Sequence, residues 1–191
     1  MTQPTSYVIA HPGSRVVKDC VRSLEQHRWP YQLVPAVNGQ QLSASDWAAI
    51  GVTLSTGGKM RQRPGAQGCW MSHWNLWQLC VDRQEPIVIL EHDAVVADRW
   101  PNDIDFNKQV VKLYRTAVCK TKPLFGTWSK GSHAYTLTPE QAELLINFAR
   151  ANPVQAVDKH LADLIVPWSF YHSDLVVLNT NRGPSSTSGY R

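Results

Sequence analysis

The hydrophobic pattern opens with a compact apolar run, Ser6-Tyr7-Val8-Ile9-Ala10, closed by His11-Pro12-Gly13-Ser14, which predicts a short buried strand. From Arg15 to about Arg28 the apolar positions Val16, Val17, Cys20, Val21 and Leu24 recur at helical spacing. Ser14 is the expected N-cap of this helix, and Trp29-Pro30 its stop. Tyr31 to Ala36 predicts a second strand and Asn38-Gly39 a turn, so the chain begins with a strand-helix-strand unit. Such units build parallel sheets with right-handed crossovers.

Ser43-Ala44-Ser45-Asp46 has capping-box spacing and predicts a short helix through Ile50. The stretch from Gly51 to Gly68 lacks a period and carries Thr56-Gly57-Gly58 with Lys59, Arg61 and Arg63. It predicts a long loop whose cations could meet a diphosphate, with a solvated charged loop as the plain alternative. From Ala66 to about Val81, Cys69, Ser72, His73, Leu76, Trp77 and Cys80 share one helical face, predicted to pack on the sheet. Ile87-Val88-Ile89-Leu90 is too short for a helix and reads as a central parallel strand buried on both faces. The segment from Lys108 to Cys119 fits helix and strand equally, whereas Ser132 to Leu137 predicts a strand. Thr138 as N-cap and Pro139 at the first helical position open a helix to about Ala151. A further helix is expected from Val154 to Ile165. The Ser-, Gly-, Thr- and Pro-rich tail from Asn179 is expected to be loose. The pattern gives one α/β domain over residues 1–178, a mostly parallel sheet flanked by helices, and a tail over 179–191.

Composition narrows the picture. A chain of 191 residues supports one sizeable core, and 43% hydrophobic with 18% charged residues excludes a disordered chain. The most apolar run is far below the roughly 20 residues that span a bilayer, and the polar start lacks a signal-peptide hydrophobic stretch. The expected compartment is therefore the cytosol, with no membrane span. The four cysteines form no C-x-x-C pair and are expected to be reduced and mostly buried. A net charge of +4 suits an anionic partner without the dense cationic stripe of a dedicated nucleic-acid binder. Eight tryptophans serve equally as core or as stacking platforms for bases and sugars.

Ligands of open α/β sheets bind outside the carboxyl ends of the strands, and Glu91-His92-Asp93 stands at such an end. If the chain stays extended, Glu91 and Asp93 project to one side and His92 to the other. Two carboxylates suit a hard divalent cation, Mg²⁺ or Mn²⁺, shared with a substrate diphosphate. Strand-end carboxylates also cap neighbouring helices or meet arginines, so the pair alone does not establish a metal site.

Three blocks add to this pair. Tyr7-Val8-Ile9 with Arg15 and Pro35-Ala36-Val37-Asn38-Gly39 resembles the first strand, helix and A-V-D-G turn of glycosyltransferase family 25. That family comprises the lipopolysaccharide-type and collagen hydroxylysine-type enzymes. Gly65-Ala66-Gln67-Gly68-Cys69-Trp70-Met71-Ser72-His73-Trp74-Asn75-Leu76-Trp77 is similar to its G-E-x-G-C-x-x-S-H-x-x-L-W signature, and Ile89-Leu90-Glu91-His92-Asp93-Ala94 to its I-L-E-D-D-A. Gly131 to Thr138 resembles the G-x-x-x-Y-x-x-S segment, and Val157-Asp158 a later V-D. The resemblance implies a GT-A-type, Rossmann-like fold and a metal-dependent glycosyltransferase, a hexosyl- or pentosyltransferase. It implies a nucleotide-sugar donor, a UDP-sugar first among them, and inversion at the sugar. The acceptor would be a hydroxyl on a glycan, a protein or a modified DNA base. His92 departs from the family's Asp, and the chain is short for the family, so acceptor-binding elements are expected to be trimmed.

The donor site expected from this resemblance comprises Ala10, Arg15, Asn38, Gly39, Arg63, Gly68, Ser72, His73, Glu91 and His92. Ser72 and His73 diverge on a helix and so line a site rather than form a nucleophile-base pair, although a core histidine is the plain reading of His73. The metal set is Glu91, Asp93 and His172, an imidazole suiting Mn²⁺ better than Mg²⁺. Asp158, at a helix start, is the candidate catalytic base beside Asp93, or a carboxylate that merely favours the helix dipole. The cationic loop and the tryptophans leave a nucleic-acid-binding protein as the competing class, and His92 leaves a catalytically inactive relative.

Overall fold

The computed structural model describes residues 3–55, 60, 62–116, 118–179 and 181. The loop positions Thr56, Gly57, Gly58, Lys59 and Arg61, and nearly all of the predicted tail, lie outside the described residues.

The predicted strand-helix-strand unit is present as β1 (Thr5–Ala10), α1 (Val17–Gln26) and β2 (Tyr31–Pro35), with β1 and β2 parallel. The helix starts later than expected: Val16, not Ser14, is its N-cap, and the Ser14 hydroxyl accepts from the Val16 N–H at 3.3 Å. A short helix α2 (Ala44–Ala49) carries the predicted capping box between Ser43 and Asp46. It is followed by α3 (Pro64–Arg83), which begins two residues before the expected Ala66 because Pro64 presets the first helical position.

Next come β3 (Ile87–Glu91), β4 (Ala94–Val96) and β5 (Val110–Lys112), then the hairpin β6 (Cys119–Lys122) and β7 (Gly126–Ser129), and β8 (Ala134–Leu137). Within the ambiguous segment from Lys108 to Cys119, Val110–Lys112 is strand, Cys119 opens the hairpin, and none of its described residues is helical. Helix α4 (Pro139–Ala151) has the predicted Thr138 cap, which accepts from the Gln141 N–H. The chain ends with α5 (Val157–His160), β9 (Trp168–Phe170) and β10 (Val176–Leu178).

The six-stranded sheet has the order β2-β1-β3-β8-β5-β9. Five strands run one way, and β8 alone runs against both of its neighbours. β3 is therefore central and buried as predicted, yet parallel only to β1. Period-2 alternation splits the core. Tyr7, Ile9, Ile87, Ile89, Tyr135 and Leu137 pack on the side of α3 and α4, while Val8, Val88, Leu90 and Ala134 pack on the side of α1.

Helix α3 is buried well beyond its expected face, with Trp70, Met71 and Trp74 enclosed as fully as Trp77 because α4 covers its far side. Trp70 stacks on Trp74 at 5.3 Å between ring centroids and lies at the same distance from Trp47. Six of the eight tryptophans are buried and Trp100 and Trp168 are half-buried, so most of these rings are core rather than stacking platforms.

The expected helix from Val154 to Ile165 is a single turn. Beyond His160 the backbone pairs with β7 instead: Asp163 N–H donates to Thr127 O, and Thr127 N–H to the Asp163 carboxylate. The cysteines are free, with Cys20 and Cys80 buried, Cys69 partly so and Cys119 exposed. No helix among the described residues is long and apolar enough to cross a membrane.

Candidate active site

A cavity of about 500 Å³ opens at the carboxyl ends of β1 and β3, where open α/β sheets bind ligands. Asn38, Gly39, Arg63, Ser72, His73 and Glu91 line it, together with His11, Cys69 and His92. Of the expected donor residues, Ala10, Arg15 and Gly68 are not among the lining. Ala10 O accepts from the Ala36 N–H and thereby sets the start of the loop after β2, and Arg15 is exposed.

Gly68 acts at one remove. A Cβ there would collide with Val37 O and approach Gly39 N to 2.8 Å, and a Cβ on Gly39 would collide with Pro64 O. The loop after β2 therefore rests directly on the first turns of α3, which only glycine at both positions permits. Ser72 locks the same contact, accepting from the Val37 N–H at 2.9 Å and donating to Gly68 O at 2.7 Å. Although Ser72 lines the cavity, its polar atom is committed to the backbone.

Chain direction changes at Glu91. A turn at His92 and Asp93 replaces the extended chain assumed from sequence, and β4 starts at Ala94. Both carboxylates nevertheless converge: His133 Nδ1 lies 3.8 Å from Glu91 Oε2 and 3.8 Å from Asp93 Oδ1. His133 arrives there because β8 is antiparallel to β3, its carbonyl accepting the Glu91 N–H at 2.9 Å. On the other oxygen, Ser132 Oγ donates to Glu91 Oε1 at 2.6 Å and His73 Nε2 faces it at 3.5 Å.

Burial pushes the Glu91 carboxyl up, but the facing His133 and His73 rings outweigh it and hold the group well below the usual carboxylate range. His92 lies outside this network, its ring 6.0 Å from that of His11. Burial lowers its basicity against the pull of Asp93 and Glu91. Asn179 N–H donates to Asp93 O at 2.9 Å and so ties the chain beyond β10 to the site.

Among the described residues two groupings could hold a metal ion, each with ligand atoms within 4.8 Å of one another: Glu91, Asp93 and His133, and Cys69, His73 and Glu91. The first is an oxygen-rich set with one imidazole, which suits Mn²⁺. His172 belongs to neither. It is exposed and faces Asp103 Oδ2 at 3.3 Å, while the Tyr171 hydroxyl donates to Asp103 Oδ1. This part of the expected ligand set is not brought to the carboxylates, because the segment after β9 runs to Asp103 instead.

Asp158 sits at the start of α5, Oδ2 accepting the Gly131 N–H at 3.4 Å and Oδ1 buried without a hydrogen-bond partner. Gly131 (φ 91°) packs directly on His133: a Cβ there would stand 2.7 Å from His133 Nε2. Asp158 thus borders the carboxylate cluster through Gly131. On its other flank, Lys112 is fully buried, with Nζ 2.6 Å from Ser129 Oγ and 4.5 Å above the Trp168 ring. Burial lowers the Lys112 ammonium to about 8, partly offset by Asp158.

His133, Tyr135, Lys112 and Cys69 were not singled out from sequence. His133 and Tyr135 sit inside the Gly131–Thr138 block. Only the reversal of β8 against β3 turns that block into a wall of the site.

Residues 18–121 match the family model of glycosyltransferase family 25, described as an LPS biosynthesis protein. Human procollagen galactosyltransferase 2 is 29% identical over 98 residues, and procollagen galactosyltransferase 1-B of Xenopus laevis is 31% identical over 97. The matches cover 49% and 48% of this chain and 15% of each relative, so the chain spans a small part of their length. In three dimensions the chain is similar to the galactosyltransferase LgtC, solved in complex with donor and acceptor sugar analogs. The TM-score is 0.51 at 10% identity, over 87% of this chain and 72% of that one, which shows a shared GT-A-type fold.

Proposed function

The chain belongs to glycosyltransferase family 25, and on that premise we propose that it transfers a sugar from a nucleotide-sugar donor, a UDP-sugar first among the candidates, to an acceptor hydroxyl with a divalent ion held at Glu91, Asp93 and His133. The observation that carries this reading is the convergence of two carboxylates and an imidazole at the edge of the strand-end cavity. Bound there, Mn²⁺ or Mg²⁺ would neutralise charge on the departing nucleoside diphosphate.

The protein's own groups supply the rest. The loop after β2, held on α3, offers Asn38 and the Gly39 backbone to the donor, and Arg63 on the cavity wall supplies positive charge for the diphosphate. Asp158 is the candidate base for inversion: the acceptor oxygen bonds to the anomeric carbon, the bond from that carbon to the diphosphate oxygen breaks, and the acceptor proton passes to the Asp158 carboxylate. Its Oδ1 makes no hydrogen bond in the structure, which supports Asp158 as the acceptor of that proton, apart from the metal-binding pair. His92 stands outside the ligand grouping, which supports an active enzyme over an inactive relative. The acceptor is proposed only as a hydroxyl-bearing glycan, protein or modified DNA base.

Donor hydrolysis tests the metal reading. Asp93→Ala is expected to lower the Mn²⁺-dependent rate on the order of a hundredfold. Unchanged turnover would remove Asp93 from the mechanism.

A further inference from the structure

The Tyr135 hydroxyl lies 2.9 Å from Trp77 Nε1 and 2.8 Å from His73 Nδ1, and all three side chains are fully buried. An indole N–H can only donate, so the phenol oxygen accepts from Trp77. Its own proton then has His73 Nδ1 as the acceptor in reach. A neutral imidazole that accepts at Nδ1 carries its proton on Nε2. That nitrogen is buried, has no other hydrogen-bond partner, and faces Glu91 Oε1 at 3.5 Å. Ser132 Oγ donates to the same Oε1 at 2.6 Å, whereas Oε2 is turned toward His133 and, through it, Asp93.

We propose that His73 is a positioning residue: Tyr135 fixes its proton on Nε2, and this N–H, together with the Ser132 hydroxyl, engages Glu91 Oε1 and leaves Oε2 as the oxygen that binds a divalent ion. The last step rests on the metal reading above, and the proton placement does not. The arrangement also chooses between the two overlapping groupings. Ligation by Cys69, His73 and Glu91 would need the Nε2 lone pair, which the Tyr135 hydrogen bond converts to an N–H. Only the grouping with Asp93 and His133 then remains.

The test uses the metal-free chain labelled with ¹⁵N-histidine at about pH 8, above the ordinary imidazole range. Long-range ¹H–¹⁵N correlation spectra, with His73 assigned by its loss in His73→Gln, are expected to show a pyrrole-like Nε2 and a pyridine-like Nδ1. The opposite tautomer, or an imidazolium, overturns the proton placement. Mn²⁺ affinity measured by electron paramagnetic resonance then tests positioning. Glutamine places its amide N–H where Nε2–H stands and is expected to keep affinity within about threefold. Asparagine reaches only the Nδ1 position and is expected to lose about tenfold or more. Equal affinity in the two variants overturns the positioning role. Absence of Mn²⁺ binding by the wild-type chain overturns the Oε2 assignment together with the metal reading, while the spectrum still decides what Tyr135 does.

Discussion

At the scale of single residues, His160 shows what the packing costs. It is fully buried among Trp70, Trp77 and Phe148, with Nδ1 on Ala156 O at 3.4 Å and Nε2 unpartnered. Burial drops its pKa from the ordinary 6.5 to about 4. As pH falls below 6.5, the unfolded chain takes up a proton that the folded chain refuses until about 4. Stability is therefore full above 6.5 and lost on acidification across that window, by about 3 kcal/mol. Urea midpoints measured across it should fall less steeply in His160→Leu than in the wild type. Parallel slopes would remove His160 as the cause. The same scale marks what sequence can and cannot disclose: Glu91 and Asp93 were legible because strand-end carboxylates need only local pattern. His133 was not, since its proximity depends on β8 pairing across β3, and His172 was misplaced because nothing local points its segment to Asp103.

At the scale of elements, the joint between the loop after β2 and α3 shapes the donor cavity. Gly39 and Gly68 touch backbone to backbone, and Ser72 ties the contact. Gly68→Ala would drive a methyl into Val37 O, an overpacking expected to cost about 1–3 kcal/mol. Because Val37, Asn38 and Gly39 line the cavity, the same variant should also weaken donor nucleotide binding. Thermal unfolding and nucleotide titration check the two effects, and a variant with native stability and affinity would show that the joint yields freely. The glycines and Ser72 are legible in the chain, but their purpose is not, because the Val37 N–H that Ser72 engages lies 35 residues away and no local pattern joins the two. Elements fixed by local signals appeared where expected: β1, the capped helices α2 and α4, and the buried strand β3. The region from Val154 to Ile165 misled because its apolar residues Leu161, Ala162, Ile165 and Val166 are buried without helix, their neighbour Asp163 pairing with Thr127 across β7. Periodicity reports burial, and a strand edge can satisfy the backbone as well as a helix does.

At the scale of the whole molecule, the sheet order brings β1, β3 and β8 side by side, so the cavity, the carboxylates and His133 share one end of the fold. Trp47, Trp70, Trp74 and Trp77 pack in the core between α2, α3 and α4 and Trp29 and Trp128 are buried elsewhere, which leaves the half-buried Trp100 and Trp168 as the remaining stacking surface for a base. In the proposed reading, binding energy for a nucleotide sugar comes from the cavity and the metal-binding grouping acting together. A ligand that binds only the folded state stabilises it by about 2.7 kcal/mol at a hundred times its dissociation constant. For a domain of this size each kcal/mol raises Tm by about 2–4 °C, so a saturating donor should raise it by about 5–10 °C. Among UDP-, GDP-, ADP- and CMP-sugars, one nucleotude class is expected to give that shift with Mn²⁺ and a much smaller one without it. Asp93→Ala should abolish the difference made by Mn²⁺ while keeping the smaller shift, because Asn38, Gly39 and Arg63 remain on the cavity wall. Equal shifts with and without Mn²⁺ in the wild type would detach the carboxylates from donor binding and leave the cavity as a metal-independent nucleotide site.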